Sequence, residues 1–313
     1  MSERYHPSPD QVAFAAAVGK SLFSILPLSR LHAAQQEDLS SWAALDDLGV
    51  FEVSVSEERG GSGLGATEEA LLALELGRRV AAPALFATLG AAHLRPARGR
   101  RVAAGYRRGE RTIFVEDTSA NGLLVRSESG AGLFERPSAA REIDPQLWSS
   151  RLLEAGPLGA ALALATPAQE LRLRLIDAAA LAGLARAALE MAVAYAGMRE
   201  QFGRPIGAFQ AVKHHCADMA LAARCAGDQV CFAALALDDA RDDAVLQVES
   251  ALYVAASAAL DNCGKNIQIH GGIGFSDEAD PHRLLKRARV LVEIAGGLEA
   301  ALTRVADCPA REE

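Results

Sequence analysis

Two stretches of this chain carry side chains whose types and spacing could do chemistry. The first is Arg199-Glu200-Gln201-Phe202-Gly203-Arg204-Pro205-Ile206-Gly207-Ala208-Phe209-Gln210, which separates two long apolar-periodic segments. Gly203, Pro205 and Gly207 force a tight excursion there that carries two guanidinium groups and aromatic rings. Such a connector suits a cofactor clamp and, on residue chemistry alone, equally suits a solvated helix hairpin. The second is Gln268-Ile269-His270-Gly271-Gly272-Ile273-Gly274-Phe275, a glycine-rich exit from the next apolar segment. A third glycine cluster, Glu57 to Gly65, holds four glycines in its last six positions, Gly60 to Gly65. It has acidic residues before it and no lysine after it, so it is expected to connect rather than to cradle phosphate, with Thr67 capping the helix that follows and Glu68 and Glu69 in its first turn. His214 and His215 are adjacent and so face differently on a helix, which argues against a shared metal. His270 is expected to be structural.

The elements that position these residues fall into three regions. Residues 1–93 read as an N-terminal helical domain, with apolar positions three and four apart over Gln11 to Leu26, Leu39 to Leu48 and Thr67 to Val80. Residues 94–158 read as a shortened β region of a few short strands, in which Thr112 to Glu116 and Leu123 to Arg126 flank the tight-turn pair Asn121-Gly122; Trp148 falls outside any strand pattern. Residues 159–313 read as a C-terminal helical bundle: Leu171 to Met198, Phe209 to Leu237, Ala244 to Ile267, and a fourth helix from Asp280 to Val305. Apolar residues nearly surround the third of these, which predicts a subunit interface there.

Composition agrees with a mostly α fold. Of the 313 residues half are hydrophobic and only 5% aromatic, with alanine and leucine dominating, a balance that favours close helix packing. The net charge of −8 argues against nucleic acid as a partner, although seven arginines lie between Arg95 and Arg111; that cluster is expected to be a solvated face. No uninterrupted apolar run reaches membrane-spanning length and the first residues lack the order of a secretory signal, so a cytoplasmic protein is expected. The five cysteines, Cys216, Cys225, Cys231, Cys263 and Cys308, have no CxxC spacing and are expected to be buried free thiols.

Taken together, the motifs at Arg199–Gln210 and Gln268–Phe275 resemble the paired signature of the acyl-CoA dehydrogenase family. The likeness runs in order from Ala187-Ala188-Leu189-Glu190 through Ala211-Val212-Lys213-His214 and Ala217-Asp218-Met219 to Asp280-Pro281-His282-Arg283-Leu284, and more weakly through Leu45 to Gly65 and Leu72 to Ala84. The resemblance implies the family's fold, a helical N-terminal domain, a middle β region and a C-terminal four-helix bundle. It implies that the two motifs reach across a subunit interface to the adenosine and pyrophosphate of an FAD. Arg199 would pair with the pyrophosphate, Phe202 pack beside the adenine or ribose, and Gln210 and Gln268 hydrogen-bond the cofactor, while Gly271, Gly272 and Gly274 let backbone N–H groups approach phosphate. Gln201 and Ile206 fall among the implied cofactor contacts. Each also has a plain reading: Arg199 as a helix C-terminal partner, Phe202 and Phe209 as core, the glutamines as surface.

The chain departs from the family where the reaction is done. The family's carboxylate base is expected immediately before a glycine in Arg289 to Gly297, where this chain has Ala295; the alternative position, early in the first bundle helix, is Leu173. Asp177 and Glu293 are the remaining weak candidates, with salt-bridged or capping roles as the plain reading. The family's β-region motifs for the flavin ring are not found. The resemblance therefore implies a shortened subunit of an α2β2 acyl-CoA dehydrogenase, completing the FAD site of a catalytic partner in the α,β-desaturation of an acyl-CoA, with bulky steroid-side-chain thioesters as a substrate class and an electron-transfer flavoprotein-like acceptor. A self-sufficient homo-oligomer with a displaced base, and a non-catalytic scaffold, are the alternatives.

Overall fold

The computed structural model describes residues 5–33, 39–96, 99–116, 120–144 and 151–308; Pro145 and Trp148 lie outside the described residues. Helix α1 (Pro9–Ile25) opens on a capping box in which the Ser8 and Gln11 side chains accept from each other's backbone N–H, with Pro9 where its missing N–H costs nothing. After it come α2 (Arg30–Ala33), α3 (Leu39–Asp47), α4 (Ala66–Arg78) and α5 (Pro83–Leu94). Thr67 does not cap α4. The helix starts one residue earlier, and the amides of Ala66 and Thr67 donate to the Asp238 carboxylate at 2.6 and 2.9 Å, with the Thr67 hydroxyl donating at 2.6 Å. A carboxylate meets the positive end of a helix better than a hydroxyl does. Glu69 turns inward and is buried between His93 at 2.7 Å and Arg172 at 2.6 Å. Helix α5 escapes the periodicity argument because every residue from Pro83 to Ala92 is buried, leaving no polar face to mark it.

The glycine-rich segment before α4 is a connector, as expected, and the backbone shows why. The amides of Ser62, Gly63 and Leu64 donate to the carbonyls of Glu52, Val55 and Val53, so they are consumed within the chain.

The β region holds more than a few strands. Seven form one sheet: β1 (Val102–Arg108), β2 (Arg111–Glu116), β3 (Gly122–Ser127), β4 (Gly130–Glu135), β5 (Arg141–Asp144), β6 (Arg151–Ala155) and β7 (Ala163–Leu164), in the order β5-β6-β2-β1-β3-β4-β7. Six strands of four to seven residues fit within residues 94–158, and the sheet runs past that bound to the two-residue β7. Nor do β2 and β3 form a hairpin about Asn121-Gly122. They lie on opposite sides of β1, which pairs antiparallel with β2 and parallel with β3, and the Asn121 and Gly122 amides both donate to the Arg101 carbonyl as the chain passes the start of β1. One face of the sheet, with Val102, Ala104, Val115, Leu124 and Leu133, packs on Ala87 and Ala91 of α5, on Leu173, and on Ile294.

The bundle comprises α6 (Pro167–Met198), the small hairpin β8 (Glu200–Gln201) and β9 (Arg204–Pro205), then α7 (Gln210–Asp238), α8 (Ala244–His270), α9 (Pro281–Ile294) and α10 (Leu298–Ala306). The expected helix from Asp280 to Val305 is two, because Gly296 and Gly297 adopt φ of +99° and +91° and stop α9. Helices α4 and α6 cross at glycines. A Cβ on Gly77 would lie 2.1 Å from the Ala180 carbonyl, and one on Gly183 would lie 2.0 Å from the Leu74 carbonyl.

The apolar girth of α8 is taken up within this chain. Ala251, Leu252, Ala255, Ala256, Ala258 and Ala259 are buried inside this chain, where α8 packs on α6, α7, α9 and α10. Helix α7 is different. By length and composition it is apolar enough to cross a membrane, it packs on α6 and α8 through Met219, Ala226 and Val230, and its other face leaves Leu221 and Cys225 exposed. Of the five cysteines only Cys263 is fully buried; Cys216, Cys231 and Cys308 are half-buried and Cys225 is exposed.

Candidate functional site

The first motif is built by the end of α6. The Arg199 amide donates to the Tyr195 carbonyl at 2.8 Å, the chain turns back through β8 and β9, and the Ile206 amide closes on the Arg199 carbonyl at 2.8 Å. The turn residues Phe202 and Gly203 have φ of +54° and +76°, the pattern of a type I′ hairpin turn. Glycine adopts it freely; a phenylalanine does so at a cost of about 1 kcal/mol or more. The turn leaves the Phe202 ring in solvent, 92% exposed, with Phe209 edge-on to it at 6.1 Å between centroids. Arg204 lies over the Phe209 ring at 4.3 Å. The guanidinium of Arg199 is exposed, with no hydrogen bond or ion pair among the described residues. Gln201 is exposed, its amide on the Glu200 carbonyl; Gln210 is exposed, and Ile206 is half-buried against the bundle core.

The second motif is the exit from α8. Gln268 is exposed, Gly271 ends the helix with φ of +66°, and residues Gly271–Phe275 make a tight 3-10 turn. Open space lies where a side chain on Gly271 or Gly272 would project, so their backbone can be approached. Gly274 is otherwise: it is buried, and a Cβ there would come within 2.7 Å of the Ile267 carbonyl. Its lack of a side chain serves packing.

One contact missed in the sequence ties the motifs together. Tyr195, in the last turn of α6, stacks on His270, in the last turn of α8, with centroids 3.9 Å apart and planes 21° apart. The only sequence signal was that Tyr195 stands four residues before Arg199, one helical turn. Around this end of the bundle Met198, Phe202, Ile273 and Phe275 are all exposed. His214 and His215 are exposed on α7.

A second place concerns the missing base. Where β1, the β3–β4 turn, α6 and the α9–α10 turn meet, a cavity of about 350 Å³ is lined by Tyr106, Arg126, Glu170, Arg174, Ala295 and Arg304, among others. Ala295 is half-buried at its wall. Leu173 is buried against the sheet, and Glu293 is exposed on α9, outside the cavity lining. Asp177 is buried and ion-paired with Arg126 at 2.9 Å. Burial pushes its carboxyl above the usual aspartate range, opposed by Arg126, Arg174 and Arg304. Glu249, 2% exposed at its side chain, bridges Arg174 at 2.9 Å and Arg304 at 2.8 Å, while Glu170 also holds Arg174. Every buried carboxylate beneath this cavity is therefore tied to an arginine.

Residues 9–95 match the acyl-CoA dehydrogenase N-terminal domain, and residues 169–307 match the acyl-CoA dehydrogenase C-terminal domain. The chain is 33% identical over 298 residues to the acyl-CoA dehydrogenase FadE34 of Mycobacterium tuberculosis, across 84% of this chain and 41% of that protein, so it spans less than half of that relative. To the acyl-CoA dehydrogenase IpdE2 of the same organism it is 31% identical over 288 residues, across 86% of each chain. Among solved structures, the ChsE4-ChsE5 complex from M. tuberculosis superposes with a TM-score of 0.76 at 21% identity, over 98% of this chain and 100% of the other. Butyryl-CoA dehydrogenase from Megasphaera elsdenii gives 0.74 at 19% identity, over 98% and 99%. These likenesses show the same fold of N-terminal helices, middle sheet and C-terminal bundle. With both domains matched in order and a relative matched along most of each chain, this protein belongs to the acyl-CoA dehydrogenase family.

Proposed function

We propose that this chain is the shortened subunit of a heteromeric, FAD-dependent acyl-CoA dehydrogenase, and that the end of its bundle completes the flavin site of a catalytic partner. The observation that carries the reading is the contrast between its two sites. At the bundle end the Arg199 guanidinium is unpaired, the Phe202 ring stands in solvent on a strained turn, and Gly271 and Gly272 leave backbone open to approach. These fit the adenosine and pyrophosphate half of FAD: a cation for the diphosphate, an apolar ring face for the nucleoside, and approachable amides. Bound FAD supplies the hydride acceptor of the family's α,β-desaturation.

The chain's own cleft does not fit the rest. A neutral flavin ring beside an acyl thioester needs apolar walls and a free carboxylate, whereas the cavity at Ala295 is walled by arginines whose carboxylate partners are all engaged. Asp177 cannot serve as a displaced base while it neutralises Arg126, and Glu293 points to solvent. The catalytic carboxylate and the acyl pocket are thus assigned to the partner. Electrons leave to an electron-transfer flavoprotein-like acceptor. A bulky, steroid-like acyl group is the substrate class, a reading supported by the steroid enzyme Tcur3481-Tcur3483, a variant of which superposes with a TM-score of 0.75 at 24% identity over 95% of this chain and 97% of the other.

The test is the visible absorbance of the chain purified alone, and again after co-expression with a full-length acyl-CoA dehydrogenase subunit of the same genome. Flavin bands confined to the co-purified complex are expected. Stoichiometric flavin on the lone chain would overturn the split site in favour of a self-sufficient enzyme, and absence of flavin from both samples would leave a scaffold.

A further inference from the structure

His270 stands between Gln268 and Gly271, in the motif itself, yet it is neither buried core nor free surface. Its geometry is over-determined. The ring lies on Tyr195 at 3.9 Å, and Nδ1 is 2.8 Å from the Asn266 carbonyl. A carbonyl can only accept, so Nδ1 carries the proton, and in the neutral ring Nε2 is left as an acceptor. Partial burial holds the imidazole below the usual histidine range, against the Asn266 bond that favours the cation, so the neutral form prevails at pH 7. The Nδ1 bond reaches back one turn of α8, and the residue that carries the unbonded Nε2 immediately precedes Gly271 and Gly272, whose Cβ positions are open. No partner for Nε2 occurs among the described residues.

We propose that His270 binds the cofactor directly, offering Nε2 as an acceptor to a donor group on the adenosine end of FAD, and that Tyr195 is the positioning residue that fixes the ring. This rests on the flavin-completing reading above and adds to it a residue whose tautomer is set by the fold. A histidine present only as packing needs the Tyr195 stack but has no use for a fixed tautomer; a ligand needs both. The ligand reading also explains why a half-buried, neutral imidazole stands in a motif whose other polar side chain, Gln268, is exposed.

The test uses the co-expressed complex, stripped of flavin and titrated with FAD while flavin fluorescence is followed. His270→Phe keeps a ring on Tyr195 and removes the acceptor; His270→Gln keeps an acceptor and loses the aromatic stack; Arg199→Ala is the reference for the site as a whole. The expected result is about a tenfold weaker dissociation constant for His270→Phe, the size of one hydrogen bond, with partial recovery in His270→Gln and an unchanged melting temperature without flavin. If Arg199→Ala weakens FAD binding while His270→Phe binds as wild type, the inference fails and the proposed function stands. If His270→Phe lowers the flavin-free melting temperature or does not fold, the residue is structural and the inference fails. If Arg199→Ala binds FAD as wild type, both readings fail.

Discussion

Glu249 sits at the centre of the charges beneath the Ala295 cavity, and replacing it by glutamine tests whether those charges hold the fold. Its carboxylate is 2% exposed and accepts from Arg174 at 2.9 Å and Arg304 at 2.8 Å, joining α8 to α6 and to α10. The amide of a glutamine fills the same volume, offers one oxygen in place of two, and leaves two guanidinium groups facing a neutral side chain. Removing one partner of a buried ion pair costs about 3–5 kcal/mol. The lower end applies here, because each arginine side chain is 27% exposed and Arg174 keeps Glu170 at 3.2 Å. Unfolding entropy of about 2.1 cal/mol/K per residue over 313 residues gives about 0.66 kcal/mol/K. A loss of about 3 kcal/mol is then a fall in melting temperature of about 5 °C for one cooperative unit. Calorimetry or circular dichroism on the Glu249→Gln chain measures it. The same variant should leave the flavin content of the complex unchanged, since the network lies beneath the cavity and away from the bundle end. A melting temperature within about 1 °C of wild type would refute the assignment of these charges to structure, and loss of flavin at unchanged stability would refute the separation of the two sites.

Three further outcomes follow from single contacts. Asp238→Ala removes the carboxylate that caps α4 and leaves the fully buried Thr67 hydroxyl without its acceptor, so a loss of about 2–3 kcal/mol in urea unfolding is expected, with Asp238→Asn intermediate. Phe202→Gly relieves the positive φ of a 92% exposed ring; the chain alone should melt no lower than wild type while its recovery with the partner subunit falls, and unchanged co-purification would deny Phe202 a role at the interface. Burial pushes the Glu69 carboxyl up, but His93 and Arg172 outweigh it and hold it below the usual range, so its stabilising contribution is complete above the unfolded glutamate pKa of about 4.3 and is lost as pH falls through the lower folded value. The melting temperature should therefore drop on acidification below that pH in wild type and do so less steeply in Glu69→Gln, from a lower starting point.

What could be read from the sequence was local, and what could not depended on partners far along the chain. The connector at Arg199–Gln210 was visible because glycine, proline, arginine and phenylalanine interrupt two apolar repeats, and the hairpin there needs only neighbouring residues. The sheet was underestimated because β1 pairs in parallel with β3 across a connection that no short-range rule signals. The expected interface on α8 and the overlooked α5 share one cause: a helix buried on all sides shows no period, whether its neighbours belong to the same chain or to another. The same limit governs the charges, and there it bears on function. In the sequence Arg126 in the β region and Arg174, Arg304 and Arg199 on or beside bundle helices are four equivalent cations. In the structure the first three are tied to Asp177, Glu249 and Glu170, while Arg199 has no anionic partner among the described residues. A paired cation in a cleft holds two elements together and attracts little else; an unpaired one beside an exposed ring and open glycine backbone is electrostatically unfinished. Residue identity could nominate all four arginines, but only their pairing separates the ones that close this chain's own cleft from the one left to meet an anion brought by another molecule.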